Sequence, residues 1–233
     1  MMGALGDRMK RYETVTQNHL MRRTPAIVRV DGRAFHTLLS RCEKPFDRRV
    51  GSAMTDAARG LVSEMQGAKA AYVQSDEASF LLTDYDQLMT EPWFDYNVQK
   101  VVSIAASTMS ACFAQFFPGA SFDARVFSLP EAEVSNYFLW RMKDWERNSV
   151  WMYTRSFFSH REMQGKKQAD MHEMLHSIGK NWATDLADCW KNGVWLVRQE
   201  GGFFWRSDVL PHFANVDAVI QSVLPKEADD AGD

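Results

Sequence analysis

The order of apolar patterns along the chain predicts an α/β (α+β) protein built on a ferredoxin-like βαββαβ unit. Between residues 26 and 129 a β-branched run, a helical stripe, two short apolar runs around a polar link, a second helical stripe and a further strand-like run follow one another. Length and composition agree with a folded domain. The 233 residues are 45% hydrophobic and 24% charged, and a chain of this size buries roughly 70% of its unfolded surface without needing disulfides or a structural metal. The three cysteines, Cys42, Cys112 and Cys189, are widely separated and odd in number. They write neither a disulfide framework nor a zinc site, so a reducing cytoplasm is the expected home.

Ala26-Ile27-Val28-Arg29-Val30 reads as a strand that stops at Asp31-Gly32-Arg33, a loop with charges at its tip. From Asp47 to Met65, Val50, Met54, Ala57, Ala58, Leu61, Val62 and Met65 recur at helical spacing, with Asp47 as the cap. Ala70 to Val73 and Ala78 to Leu82 form two strands joined by the polar link Gln74-Ser75-Asp76-Glu77. A second helix is expected from Tyr96 to Phe117, ending at Phe117-Pro118-Gly119, and Asp123 to Leu129 returns as a strand. In this topology both helices lie on one face of an antiparallel sheet, and the other face is expected to stay open for a ligand. Beyond Pro130, an aromatic-rich helix is expected over Glu131 to Phe158, further helices around Met171 to Ile178 and Trp182 to Trp190, and a hairpin turned at Gly201-Gly202. The expected division is a catalytic unit over 1–130, a helical extension with a C-terminal hairpin over 131–225, and a mobile tail over 226–233.

No signal peptide is expected, because the start carries Asp7, Arg8, Lys10 and Arg11 with no apolar run before them. The longest uncharged stretch, Val101 to Phe122, contains Ser103, Ser107, Thr108, Ser110 and Gln115 and reads as a buried helix rather than a membrane span. A net charge of −3 gives no bulk electrostatic reason for nucleic-acid binding, so a polyanion must be met by a local basic patch.

The most informative feature is a pair of acidic clusters at strand ends, Asp31 and Asp76-Glu77. In the split βαβ arrangement the first and third strands are neighbours, so the two clusters converge. They are either solvated turn acids or oxygen ligands for a hard cation such as Mg²⁺, which favours one or two carboxylates completed by phosphate and water. Two such ions about 3.5–4 Å apart clamp the attacking and leaving oxygens of a phosphoryl transfer. Arg29, Arg33, His36 and Lys44 put positive charge beside Asp31 and Asp47, and Gly32 allows close backbone approach to a phosphate.

Five ordered stretches carry a specific resemblance: Arg29 to His36, Lys44 to Asp47, Ser75 to Phe80, Phe122 to Val126 and Trp140 to Asp144. Together they resemble the tRNA-His guanylyltransferase family, whose catalytic domain is similar to the palm of polymerases and adds nucleotides to the 5′ end of tRNA in the 3′-to-5′ direction. The resemblance implies that Asp31 and Asp76 hold two Mg²⁺ ions with the Gly32 carbonyl, and that Glu77 supports catalysis. It further implies that Arg29, Gly32, Arg33, Ala34, Phe35, His36, Lys44, Asp47 and Ser75 hold a triphosphate (GTP or ATP). By the same resemblance Lys100 holds the activating nucleotide, Arg141 and Asn148 meet the RNA, and the assembly is a homotetramer. Where eukaryotic members carry His-Ile-Asn-Asn this chain has Glu146-Arg147-Asn148-Ser149, and Tyr96-Asn97 stand where paired arginines are frequent. These departures are similar to the bacterial and archaeal branch, which repairs 5′-truncated tRNA by templated pairing. Addition of a single G to tRNA-His is the alternative within the family. A palm-fold protein that binds a nucleotide or makes a signalling nucleotide is the alternative from another class.

Overall fold

β1 (Ala26–Gly32) and β3 (Glu77–Leu82) lie side by side inside a six-stranded sheet whose order is β4-β1-β3-β2-β5-β6. The remaining strands are β2 (Ala68–Gln74), β4 (Phe122–Ser128), β5 (Val194–Arg198) and β6 (Phe204–Ser207), and every neighbouring pair is antiparallel. This computed structural model describes residues 2–199, 201, 204–207 and 215–225. Helix α1 (Met2–Thr14) precedes β1; α2 (Phe35–Leu38) and α3 (Arg48–Glu64) join β1 to β2; α4 (Val98–Ala114) joins β3 to β4. After β4 come α5 (Glu131–Arg155), α6 (His160–Met163), α7 (Gln168–Ser177), α8 (Trp182–Asp185) and α9 (Asp188–Asn192), then β5, β6 and α10 (Val216–Val223).

The period-2 pleat assigns each strand residue to a face. Ala26, Val28, Val30, Ala71, Val73, Ala78, Phe80 and Leu82 pack with Ala57, Leu61, Val101, Met109 and Phe113 of α3 and α4. Ile27, Ala70, Tyr72 and Leu81 point the other way, onto Val134, Tyr137, Phe138 and Met142 of α5 and Val216 and Ile220 of α10. The second face is therefore not open, contrary to the expectation from the motif. The cover comes from outside the motif: α5 buries Leu81 of β3, and its Tyr137 and Arg141 meet the polar β3 residues Ser79 and Glu77, so all six residues of the strand are buried.

Details of several elements also differ from the sequence reading, including α5, which ends at Arg155 rather than Phe158. Helix α4 starts at Val98 rather than Tyr96, because Tyr96 has left-handed φ 50 and Asn97 accepts the Lys100 N–H as a side-chain cap at 3.1 Å. The single helix expected over 182–190 is split into α8 and α9. Its first turn is tied back by Asp185, which accepts from Asn181 N–H and from Tyr153 O–H. The hairpin β5–β6 forms, but it extends the sheet by pairing β5 with β2; the turn residue Gly202 and the expected tail over 226–233 lie outside the described residues. Among the described residues no helix is long and apolar enough to cross a membrane.

Because Phe138 on α5 and Phe113 on α4 are both fully buried, Phe138→Ala should lower the unfolding free energy by about 3–5 kcal/mol, as Phe113→Ala should on the opposite face. Urea denaturation of both variants tests this; a loss below ~1 kcal/mol for Phe138→Ala alone would show α5 to be weakly attached to the sheet.

Candidate active site

The last residues of β1 and the β2–β3 turn come together at one end of the sheet. Asp31 pairs directly with Glu77 in the β1–β3 register, and the Gly32 N–H donates to the Asp76 carbonyl at 2.9 Å. Ser75, at φ 47, turns the chain tightly so that Asp76 sits beside Asp31. Strand alternation puts Arg29, Asp31, Gln74 and Glu77 on the sheet face that α5 covers, and α5 supplies Arg141, Asp144, Trp145, Asn148, Trp151 and Met152 from above. These residues, with Asp31, Gln74, Ser75, Asp76 and Glu77, enclose a cavity of about 330 Å³.

A larger cavity of about 620 Å³ adjoins it across Asp76 and is walled by Phe35, His36, Lys44, Phe46, Asp47, Trp145, Trp151 and Trp190. Its loop is shaped by close packing. A Cβ at Gly32 would stand 2.5 Å from the Phe35 ring, and Phe35 is anchored against Phe113 and Phe122 with ring centroids 5.2 and 5.0 Å apart. Ala34, in left-handed conformation at φ 55, starts α2. Asp47 is buried and caps α3, accepting from the N–H groups of Glu43 and Arg49 and from the Arg49 guanidinium. That guanidinium holds its carboxyl well below the usual carboxylate range, against the opposing effect of burial.

The electrostatics distinguish the acids. Burial pushes the Asp76 carboxyl up, the Ser75 hydroxyl opposes this, and the neighbouring Asp31 charge adds to the rise. Among the described residues neither Asp31 nor Asp76 forms a salt bridge. Glu77 is different: Arg141 closes a two-pronged grip on it, Nε to Oε1 at 2.7 Å and Nη2 to Oε2 at 2.8 Å, and Gln74 Nε2 donates to Oε1 at 3.1 Å. Arg29 Nε stands 3.9 Å from Glu77 Oε2. Burial pushes the Glu77 carboxyl up, and Arg141 opposes it.

The structure brings several of the expected site residues together and places others elsewhere. Asp31, Ser75, Asp76, Glu77, Arg141 and Asn148 border the smaller cavity; Phe35, His36, Lys44 and Asp47 border the larger, with Ser75 and Asp76 shared. Arg141, expected to meet RNA, is turned inward at 7% exposure. Its guanidinium is occupied by Glu77 and Asp144 and lies 4.5 Å from the Trp140 ring centre. Glu77 likewise holds Arg141 rather than facing solvent. Arg29 is drawn to Glu77 beneath α5, and exposed Arg33 borders neither cavity; its N–H donates to the Ser121 carbonyl at 2.9 Å. Lys100 is not part of the gathering: it stands on the first turn of α4, while Phe113 near the last turn meets Phe35, and the helix rises about 20 Å between those two residues. Sequence reasoning missed Trp145, Trp151 and Met152, which with Asp144 and Asn148 form one stripe of α5. The available signal is the helical spacing of the aromatic run, which shows that the helix covers something but not which stripe faces it.

Among the described residues no group of three or more His, Cys, Asp or Glu side chains makes a ready-made metal cage. A pair of carboxylates matches instead a cation that completes its shell with phosphate and water.

The antiparallel sheet covered by helices, with paired acids beside two adjoining cavities, is that of a nucleotidyltransferase, as the relatives of the chain show. More particularly, the chain belongs to the tRNA(His) guanylyltransferase family. The model of that family matches residues 6–130. The tRNA(His) guanylyltransferase of Debaryomyces hansenii is 31% identical over 221 residues, covering 81% of this chain and 80% of its own. That of Schizosaccharomyces pombe is 28% identical, covering 81% and 78%. A solved bacterial tRNA(His) guanylyltransferase-like protein in complex with ATP superposes with a TM-score of 0.89 at 36% identity, over 95% of this chain and all of that one. A bacterial guanylyltransferase-like protein in complex with GTP gives 0.80 at 34%, over 94% and 99%. The Saccharomyces cerevisiae enzyme, at 21% identity and a TM-score of 0.71 over 89% and 97%, shares the fold.

Removing one partner of the buried pair, Arg141→Met, should cost about 3–5 kcal/mol, and adding Glu77→Leu to that variant should recover much of the loss; chemical denaturation of the single and double variants measures both. For Asp76 the sign is set by its raised pKa. The neutral carboxyl is the form the fold favours, so stability is full below the ordinary value of 3.8 and falls as pH rises through the folded value. Asp76→Asn should therefore melt with the wild type in acid and above it at neutral pH. Equal melting temperatures at pH 7 would show that Asp76 bears no such penalty.

Proposed function

We propose that the protein extends the 5′ end of tRNA in the 3′-to-5′ direction, choosing each nucleotide by pairing with the opposite strand, with Mg²⁺ held by Asp31, Asp76 and the Gly32 carbonyl. The observation that carries this reading is the convergence of Asp31 and Asp76 on one cavity wall with their charges unrelieved. A hard divalent cation fits that donor set, since its charge offsets the burial that chiefly raises Asp76 and the smaller contribution of Asp31. When bound, such an ion supplies Lewis-acid stabilisation of charge on the phosphoryl oxygens.

The protein's own groups then have separable tasks. Lys44 and His36 face the larger cavity from the loop beside it and offer donors to a triphosphate. Gly32 keeps that loop against Phe35. Asp47, tied to two backbone N–H groups and to Arg49, fixes the start of α3 and with it one wall of the cavity. Glu77 and Arg141 act by position, holding α5 over the sheet end. In this reading residues 1–130 form a ferredoxin-like palm and 131–225 an extension that closes it. Relatives solved with ATP and with GTP support nucleoside triphosphates as substrates. Templated repair rather than single-G addition is supported by Glu146-Arg147-Asn148-Ser149 in place of the eukaryotic motif and by the closer superposition on the bacterial proteins. A tetramer, implied by the resemblance, accords with α1, where residues 4–14 are all exposed.

The purified protein should extend a 5′-shortened tRNA in the presence of Mg²⁺ and the nucleoside triphosphate that pairs with the facing base. Asp31→Ala and Asp76→Ala should each abolish extension without unfolding the chain. Turnover retained in both variants sinks the metal assignment, and addition of G regardless of the facing base replaces templated repair with single-G addition.

A further inference from the structure

Trp151 is an exposed tryptophan at a place where an enzyme would be expected to hide such a ring unless something binds it. It is 40% exposed, has no aromatic neighbour or hydrogen bond among the described residues, and lines both cavities where they meet at Asp76. It stands one helical turn beyond Asn148, so both project on the same side of α5. Asn148 is exposed as well, and its amide makes no side-chain hydrogen bond with any described residue. Two buried polar atoms in the walls of both cavities, Gln74 Oε1 and Trp145 Nε1, also lack a hydrogen-bond partner, and buried polar groups of this kind ordinarily have one.

We infer that Trp151 is the stacking platform for the terminal base of the RNA 5′ end, seated in the smaller cavity, with the Asn148 amide available to the base edge. This rests on the polymerase reading above and adds to it the residue that receives the RNA. The chemistry of the walls favours a base there. In the inner part of the smaller cavity Glu77 and Asp144 are held by Arg141, so cation-borne phosphate is suited there only to Asp31 and Asp76. Trp151 is the exposed flat ring at its rim; the other ring, Trp145, is buried at 3%. The larger cavity already has its own stacked rings, Phe46 on Trp190 at 5.1 Å and 10°, so it does not need Trp151 to hold the incoming triphosphate. A base paired at the end of an RNA stem leaves one π-face uncovered, and an aromatic side chain is the sequence-tolerant way to cover it. Sequence tolerance is what an enzyme that adds more than one kind of nucleotide requires.

The test compares wild type with Trp151→Ala, Trp151→Phe and Trp151→Leu on a 5′-shortened tRNA, measuring KM for the RNA and KM for the triphosphate separately. Trp151→Ala should raise the RNA KM by about 5- to 150-fold, the range expected for loss of one base–aromatic stack, and leave the triphosphate KM in place. Phenylalanine should restore most of the affinity and leucine should not, although both fill the space with apolar atoms. Should alanine unfold the protein, the Phe and Leu variants at matched melting temperature decide the question. An unchanged RNA KM in Trp151→Ala, leucine as good as phenylalanine, or a loss confined to the triphosphate KM overturns the inference while an active wild type leaves the polymerase reading standing. A wild type that neither binds nor extends RNA overturns both.

Discussion

The grip of Arg141 on Glu77 is the interaction on which the site depends. It crosses from α5 to the end of β3, where Glu77 stands beside Asp76 in sequence and opposite Asp31 in register. Two charged groups taken out of water are tolerable only when each satisfies the other closely, and here both carboxylate oxygens receive a guanidinium N–H. Asp144, one turn further along α5, accepts another Nη2 bond at 3.1 Å and so fixes the direction in which the guanidinium points. The consequence is positional: the α5 stripe bearing Trp145, Asn148 and Trp151 is held above the acidic strand ends.

Glu77 and Asp76 show how adjacent acids acquire different work. Glu77 lies within the strand, so its side chain is directed under α5 and meets a cation from the protein itself. Asp76 lies in the turn, where the left-handed Ser75 swings it toward Asp31, and among the described residues no cation forms a salt bridge with it. The protein thus neutralises one carboxylate internally and leaves an unbalanced pair beside it. A fold that wanted only stability would have paired or removed them; burying unrelieved like charges is destabilising and is characteristic of a binding centre. At the larger cavity Asp47 is fully engaged as a cap, while Lys44 and His36 line the space with only local bonds, to the Leu39 carbonyl at 3.3 Å and the Thr37 hydroxyl at 3.1 Å.

Much of this arrangement is legible in the order of residues alone. Strand and helix order comes from period-2 and period-3.6 patterning, and the convergence of Asp31 with Asp76 follows from strand adjacency. The exchange of roles does not. The resemblance assigns Arg141 to RNA, and its burial against Glu77 depends on where α5 lands. The resemblance assigns Lys100 to the activating nucleotide, but the residue stands at the far end of α4 from Phe35, because an alignment gives position along the chain and not distance across the sheet. The second face reads as open because the βαββαβ pattern specifies four strands and two helices, while the covering helix lies outside that pattern.

The sequence by itself determined the elements, the family and the acidic pair, because local periodicity and motif order are properties of neighbouring residues. Only the tertiary structure decided which cations are engaged by Glu77 and which remain directed to the cavities. It also decided that α5 roofs the sheet and that Trp151 faces the cavities. Those outcomes depend on how a helix docks on a distant strand, and docking is set by burial and charge pairing summed over residues far apart in the chain.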